Sequence, residues 1–257
     1  MIKTKKISVV IPCKNEEKII YSVVKSMPKY IDEVIVVNNG STDNTAKEAE
    51  RAGARVLTEN RKLNGIGYGF AHLTGIKHAT GDYIVALDGD NTYPADEIEN
   101  IINKMLFEKL DFVSCNRLPL KNPKAISKTR RLGIYILNIE TMFLYGRYIN
   151  DILTGMWVMK KSAAKKLNLK MGDWNLSPEI KISAIVNPKI KFSEYHIDHF
   201  VREKEPSKQA IWNTGFNHLM YILKRRFTQD TLIYKSVLDL AENLRALGKR
   251  LSYQQFL

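Results

Sequence analysis

With 257 residues, 44% of them hydrophobic and 26% charged, the chain is long enough to bury a full core as one large domain, and its composition excludes a disulfide-stapled mini-protein and a low-complexity polymer. The formal charge of +13 is unevenly spread: residues 1–100 carry 13 Lys+Arg against 14 Asp+Glu, and residues 101–257 carry 27 against 13. That asymmetry implies an anionic partner for the second half, whether a nucleic acid, a phosphorylated acceptor or an acidic membrane surface.

Nucleic acid is the weakest of these, because no fingerprint of a common binding module is present and the basic excess is not interleaved with aromatics on a sheet. Cys13 and Cys115 stand far apart with no metal-ligand spacing around them, so neither a disulfide framework nor a zinc site is expected and a reducing cytoplasm fits. The N-terminus runs through Lys3, Lys5 and Lys6 straight into an apolar segment, leaving no room for a signal peptide. No apolar stretch approaches the ~20 residues that span a bilayer. The expectation is a cytoplasmic protein, soluble or peripheral at the membrane's cytoplasmic face.

Taken in chain order, Ile7–Pro12 reads as a buried strand and Glu16–Met27 as a helix with Ile19, Ile20, Val23 and Val24 at helical spacing. Glu33–Val37 is a second strand, Thr42–Ala52 a helix and Gly53–Leu57 a third strand. A helix over Gly69–Ala79 leads to the strand Tyr83–Leu87, then a helix over Pro94–Glu108 to a strand at Asp111–Ser114. Strands alternating with helices at this pace predict an α/β fold with a mainly parallel sheet flanked by helices.

In such sheets ligands bind at the carboxyl ends of the strands, where Pro12–Glu16, Val37–Asp43 and Asp88–Asp90 all fall. Asp88 and Asp90, one residue apart after a buried strand, suit a hard divalent cation held through oxygen with positions left open for a diphosphate. The alternative at this point is a polar turn built on Gly89 and Pro94.

The second half changes character. Residues 117–131 hold Arg117, Lys121, Lys124, Lys128, Arg130 and Arg131 without an acid, followed by the apolar-rich 134–145. A basic stretch joined to an amphipathic one suits a helix at a membrane interface, or a core helix beneath a basic loop. A second amphipathic helix is predicted over Ile211–Phe227, ending in Lys224, Arg225 and Arg226, which also suit the helix dipole. Gly65, Gly67 and Gly69 read as a turn entering a helix rather than a dinucleotide fingerprint. His196 and His199 read as packing or surface residues rather than metal ligands. Glu179, after Trp174, either reaches a ligand or forms a structural ion pair.

The segments 8–17 (SVVIPCKNEE), 38–45 (NNGSTDNT) and Gly81-Asp82-Tyr83 leading to Asp88-Gly89-Asp90 resemble the inverting family 2 glycosyltransferases of the GT-A fold over residues 7–117. Asp90 to Arg117, Asp151–Gly155 and Arg202 with Ser207-Lys208 look more narrowly like the dolichol-phosphate mannose synthase and polyprenyl-phosphate glycosyltransferase branch. The resemblance implies a GT-A catalytic domain over 1–210, with a nucleotide-sugar half (1–117) and an acceptor half (118–210), and a C-terminal helical, membrane-surface extension over 211–257. It implies a nucleotide-sugar donor, GDP-mannose or a UDP-hexose, with Mg²⁺ or Mn²⁺ on Asp88 and Asp90 and a polyprenyl phosphate as acceptor. A soluble glycan or small molecule is the alternative acceptor.

Carried over position by position, Pro12, Lys14, Glu16, Val37, Asn39, Asp88, Gly89, Asp90, Arg117, Arg202 and Lys208 would line the nucleotide sugar. Arg117, Arg130 and Arg131 would cradle the acceptor phosphate. The chain departs from the family at Asn38 and Asn39, where acids are usual, and at Lys14, where an aromatic often stands. The trailing membrane-spanning helices of some relatives are not seen in it, which leaves peripheral attachment as the expectation, and the Gln-x-x-Arg-Trp signature of processive synthases is missing too.

Asp90, Asp151 and Arg202 are the groups assigned to the chemistry. The departing diphosphate gains charge, which a metal on Asp90 with Arg202 and Lys208 would neutralise. Asp151 is the candidate base for a hydroxyl nucleophile. A phosphate monoester, with a second pKa near ~6, arrives ionised and would leave Asp151 to orient or bind.

Overall fold

The computed structural model describes residues 5–63, 65–202 and 210–227. Seven strands form one sheet: β1 (Ile7–Cys13), β2 (Glu33–Asn38), β3 (Arg55–Thr58), β4 (Tyr83–Ala86), β5 (Phe112–Asn116), β6 (Trp157–Lys160) and β7 (Phe192–His196), in the order β3-β2-β1-β4-β6-β5-β7. Eight α-helices accompany them among the described residues: α1 (Ile20–Lys25), α2 (Thr45–Arg51), α3 (Tyr68–His78), α4 (Ile98–Phe107), α5 (Lys128–Tyr145), α6 (Lys161–Leu167), α7 (Leu176–Val186) and α8 (Ile211–Phe227). The expected α/β architecture with a mainly parallel sheet is present; β6 alone runs antiparallel, against both β4 and β5.

Both faces of the sheet are covered, which is why β1 and β4 read as unbroken apolar runs rather than alternating ones. The period of two survives in where each side chain goes. Val9 and Ile11 join α1 and α4 in one core, with Val36 and Val85, while Val10 joins Ile35, Val37, Ile84 and Ala71 of α3 in the other. Gly75 lets α3 lie directly on β1, since a Cβ there would overlap Val10 Cγ1. Gly75→Ala is expected to cost about 1–3 kcal/mol in urea unfolding, despite alanine's better helix propensity.

The first predicted helix begins late. Residues 15–17 point their backbone N–H groups at a neighbouring loop instead of along a helix: Asn15 donates to Ser41 Oγ (3.0 Å), Glu16 to Thr45 Oγ1 (2.8 Å) and Glu17 to Asp43 Oδ2 (3.2 Å). Asn15 takes a positive φ of 50° to do so. These bonds clamp the loop after β1 to the loop after β2 and so shape one edge of the sheet's carboxyl-end rim.

No helix among the described residues is long and apolar enough to cross a membrane. α5 and α8 pack together at their C-terminal ends, where Tyr145 Oη donates to the Ile222 carbonyl (3.0 Å) and Arg226 Nε to that of Leu144 (2.8 Å).

Candidate active site

At the carboxyl ends of β1, β2 and β4 lies a cavity of about 180 Å³. Ten of the residues singled out from the sequence line it: Pro12, Lys14, Glu16, Asn39, Asp88, Gly89, Asp90, Arg117, Arg130 and Arg202. They come from segments as distant as residues 12 and 202, so the convergence is a product of the fold.

The two acids are held differently. Asp90 Oδ1 accepts from Thr92 N (3.2 Å) and Thr92 Oγ1 (2.7 Å), while Oδ2 accepts from Arg202 (2.9 Å). The same guanidinium reaches Glu16 Oε1 at 2.7 Å, so Arg202 bridges two carboxylates across the cavity. Asp88 Oδ1 accepts from the Tyr68 hydroxyl (3.0 Å). Gly155 closes over Asp88, and a Cβ at that position would sit 2.7 Å from Oδ2. Burial, together with the charge of Asp90, raises the pKa of the Asp88 carboxyl above the ordinary carboxylate range.

A paired-acid site with one member destabilised as an anion is short of positive charge. Asp88 and Asp90 both line the cavity with carboxylate oxygens, the ligand type a hard divalent cation takes, while no cluster of three His, Cys, Asp or Glu able to hold a metal by itself occurs among the described residues. Asn39 also lines the cavity with neither atom of its buried side-chain amide partnered within the described residues. Its neighbour Asn38 is occupied, accepting from Ser41 N (3.0 Å).

Four sequence-stated positions fall elsewhere. Val37 points into the core beneath α3, as alternation along β2 demands, so its side chain does not line the cavity. Arg131 lies one position round α5 from Arg130 and does not line it either. Lys208 lies outside the described residues. Asp151 is fully buried, its carboxylate taken up by Arg117 through Nε–Oδ2 (2.6 Å) and Nη2–Oδ1 (3.0 Å). Burial alone would raise this carboxyl, but the guanidinium outweighs it and holds the pKa below the usual range. Asp151 does not itself line the cavity, where a base would have to meet its nucleophile; the base role expected of it is corrected to that of the counter-ion that fixes Arg117, which does line the cavity.

Several lining residues carried no role in the sequence reading. Tyr93 accepts from Gly155 N (2.7 Å) and packs its ring on His199 at 4.9 Å, tying the acid-bearing loop to the 151–155 segment. Tyr68 stacks on Trp174 at 4.5 Å. Single aromatics at loops and helix starts have no periodicity to betray them, although Tyr93 stood within the Asp88–Pro94 run and Tyr68 between Gly67 and Gly69. Glu179 resolves as structural, accepting from the backbone of Lys170 (3.1 Å) and Met171 (2.8 Å) with Arg225 at 3.5 Å.

The pattern of acids at the rim, the strand order and the surrounding arginines coincide with a match to the family model of glycosyl transferase family 2 over residues 8–167. The chain belongs to this family. Its relatives include the uncharacterised protein MJ1222 of Methanocaldococcus jannaschii, 30% identical and covering 88% of this chain and 94% of that one. The UDP-N-acetylglucosamine–dolichyl-phosphate N-acetylglucosaminyltransferase of Methanococcus voltae is 31% identical over 64% of this chain and 73% of its own. Among solved structures, glucosyl-3-phosphoglycerate synthase of Mycobacterium tuberculosis, in complex with Mn²⁺, UDP and glucosyl-3-phosphoglycerate, superposes with a TM-score of 0.64 at 21% identity, covering 87% of this chain and 80% of that one. That likeness places this family 2 glycosyltransferase in the GT-A fold.

Proposed function

We propose that this family 2 enzyme moves a hexose from a nucleotide-diphosphate sugar to a polyprenyl phosphate, with inversion and with a divalent metal, at the cytoplasmic face of a membrane. The observation that carries the reading is three arginines around one pair of acids: Arg202 on the side of Asp90, and Arg117 and Arg130 on the same cavity. A donor diphosphate with a metal accounts for the acids and Arg202. Two further arginines suit a second phosphate, the acceptor's own. The Methanococcus relative uses dolichyl phosphate by its name.

In this reading Asp88 and Asp90 hold Mg²⁺ or Mn²⁺, which supplies Lewis-acid neutralisation of the leaving diphosphate. Arg202 exchanges its two carboxylates for diphosphate oxygens, with Lys208 following it in the chain. Asn39 offers an amide donor and acceptor to the base, UDP-hexose or GDP-mannose. The acceptor phosphate, ionised at neutral pH, attacks without a base, and Arg117 and Arg130 orient it. Arg130 is suited to an anion, because burial and the charges of Arg117 and Arg202 lower its pKa.

The deciding experiment incubates the full chain with radiolabelled UDP-glucose, UDP-N-acetylglucosamine or GDP-mannose, Mn²⁺ and a prenyl phosphate. Metal-dependent label in the organic phase, released by mild acid, is expected. Label that stays in water and goes to a soluble acceptor instead would move the reading to the glycan or small-molecule alternative.

A further inference from the structure

A second cavity, of about 690 Å³, runs from the active site between the N-terminal halves of α5 and α8. It shares Arg117, Ala125, Arg130, Leu153, Ser177 and His199 with the first. One end is therefore cationic, and beyond Arg130 the lining turns apolar through Leu132, Ile136, Leu137, Trp212, Phe216 and Leu219. The two helices are tied toward their C-terminal ends, where Tyr145 bonds the Ile222 carbonyl, and the groove lies between their N-terminal halves.

Two glycines line it, Gly133 on α5 and Gly215 on α8. Glycine is the poorest helix former apart from proline, and close packing is the usual reason for one inside a helix. Here a Cβ at either position would meet nothing within 4 Å, so neither glycine serves a contact between the helices. Both leave room. At the lip, Trp212 is 81% exposed and Leu132 61%, in line with Ile136, Ile139 and Phe143 along the outer face of α5.

We infer that this groove holds the apolar chain of the acceptor, with its phosphate at Arg117 and Arg130, and that the chain slides in from the bilayer over the exposed lip. The inference rests on the lipid-phosphate reading above and adds where the lipid goes. Charge complementarity at one end, an apolar trough at the other and direct continuity with the donor cavity together select an amphiphile with a single phosphate head.

Gly133→Phe and Gly215→Phe put bulk into the trough from positions where a Cβ meets nothing within 4 Å. With long-chain prenyl phosphate in phosphatidylcholine vesicles, each is expected to lower kcat/KM at least tenfold, while Mn²⁺-dependent UDP affinity and the melting temperature stay at wild-type values. Filled variants that turn over the lipid at the wild-type rate overturn the inference, as they would if residues 228–257 or a second copy occupied the groove. Filled variants that lose UDP affinity overturn it too, since the groove would then belong to the donor. A wild-type chain that uses no prenyl phosphate, but transfers to a soluble acceptor, overturns the underlying reading instead, and these results are distinguishable in one set of assays.

Discussion

Asp90→Ala is expected to abolish Mn²⁺-dependent binding of a nucleotide-diphosphate sugar in calorimetric titration and to lower turnover by about 10²–10³-fold, the scale of losing one group that stabilises developing charge. The variant should fold, because Asp90 borders the cavity and its loss leaves Arg202 paired with Glu16 at 2.7 Å. Arg202→Ala provides the contrasting arm. Asp90 Oδ2 is held by the Arg202 guanidinium, whose positive charge opposes a cation on the same carboxylate. Removing it should tighten Mn²⁺ binding in the absence of nucleotide and weaken the sugar nucleotide when metal is present. Metal and diphosphate, being of opposite charge, are expected to assist each other in the wild type, linkage makes the gain equal in both directions, and the alanine variant should show less of it. Undiminished donor affinity in Asp90→Ala would count directly against the paired acids as the metal site.

What was legible in the sequence follows from how each feature is encoded. Strands β1, β2 and β4 are buried on both sides, so continuous apolar runs betrayed them, and the loops at their carboxyl ends followed from the topology of parallel sheets. Asp88 and Asp90 could be named in advance because paired acids at a strand exit are conspicuous, whereas Arg202 was named only through the family resemblance, its charge run reading equally well as a solvated loop. β6 was not anticipated: four residues between a glycine-containing loop and α6 carry no alternation, and its antiparallel direction is set by pairing with β4 and β5. Val37 was misplaced because motif position does not specify which face of the sheet a side chain takes, whereas the period of two along β2 does. Asp151 was the hardest case. A lone acid beside a loop is equally consistent with a base and with a counter-ion, and only the position of Arg117, 34 residues earlier in the chain, decides between them. The groove between α5 and α8 was half legible: both amphipathic helices were predicted, but the side on which they meet was not.

Asp151→Asn is expected to destabilise the fold by about 3–5 kcal/mol, the usual consequence of stripping one partner from a buried ion pair. The reason is local. Arg117 is bound through two guanidinium nitrogens to a fully buried carboxylate, and an amide neither carries the charge nor offers two acceptors. Lys181 is close behind, fully buried and donating to the Thr154 carbonyl (2.8 Å), the Ser177 carbonyl (3.0 Å) and Ser177 Oγ (3.1 Å). Burial, opposed by the charge of Asp151, leaves its pKa lowered to about 7, so the variant strips Arg117 of its buried anion and drives Lys181 further toward its neutral form. For a chain of this length the melting temperature should fall on the order of 10 °C.

The pH dependence has a definite sign. A carboxyl whose folded pKa is depressed stabilises the protein above its unfolded pKa of about 3.9, and that contribution is lost as pH falls through the folded value. The wild-type advantage over Asp151→Asn should therefore be full at neutral pH and shrink in strongly acid solution. Arg117→Met with Asp151→Leu should recover most of the lost stability, because the burial cost of both charges disappears together, yet remain inactive for want of Arg117 at the cavity. Were Asp151 a base instead, Asp151→Asn would melt like the wild type and fail only in turnover, and that pair of results would remove Asp151 from the scaffold and return it to the chemistry.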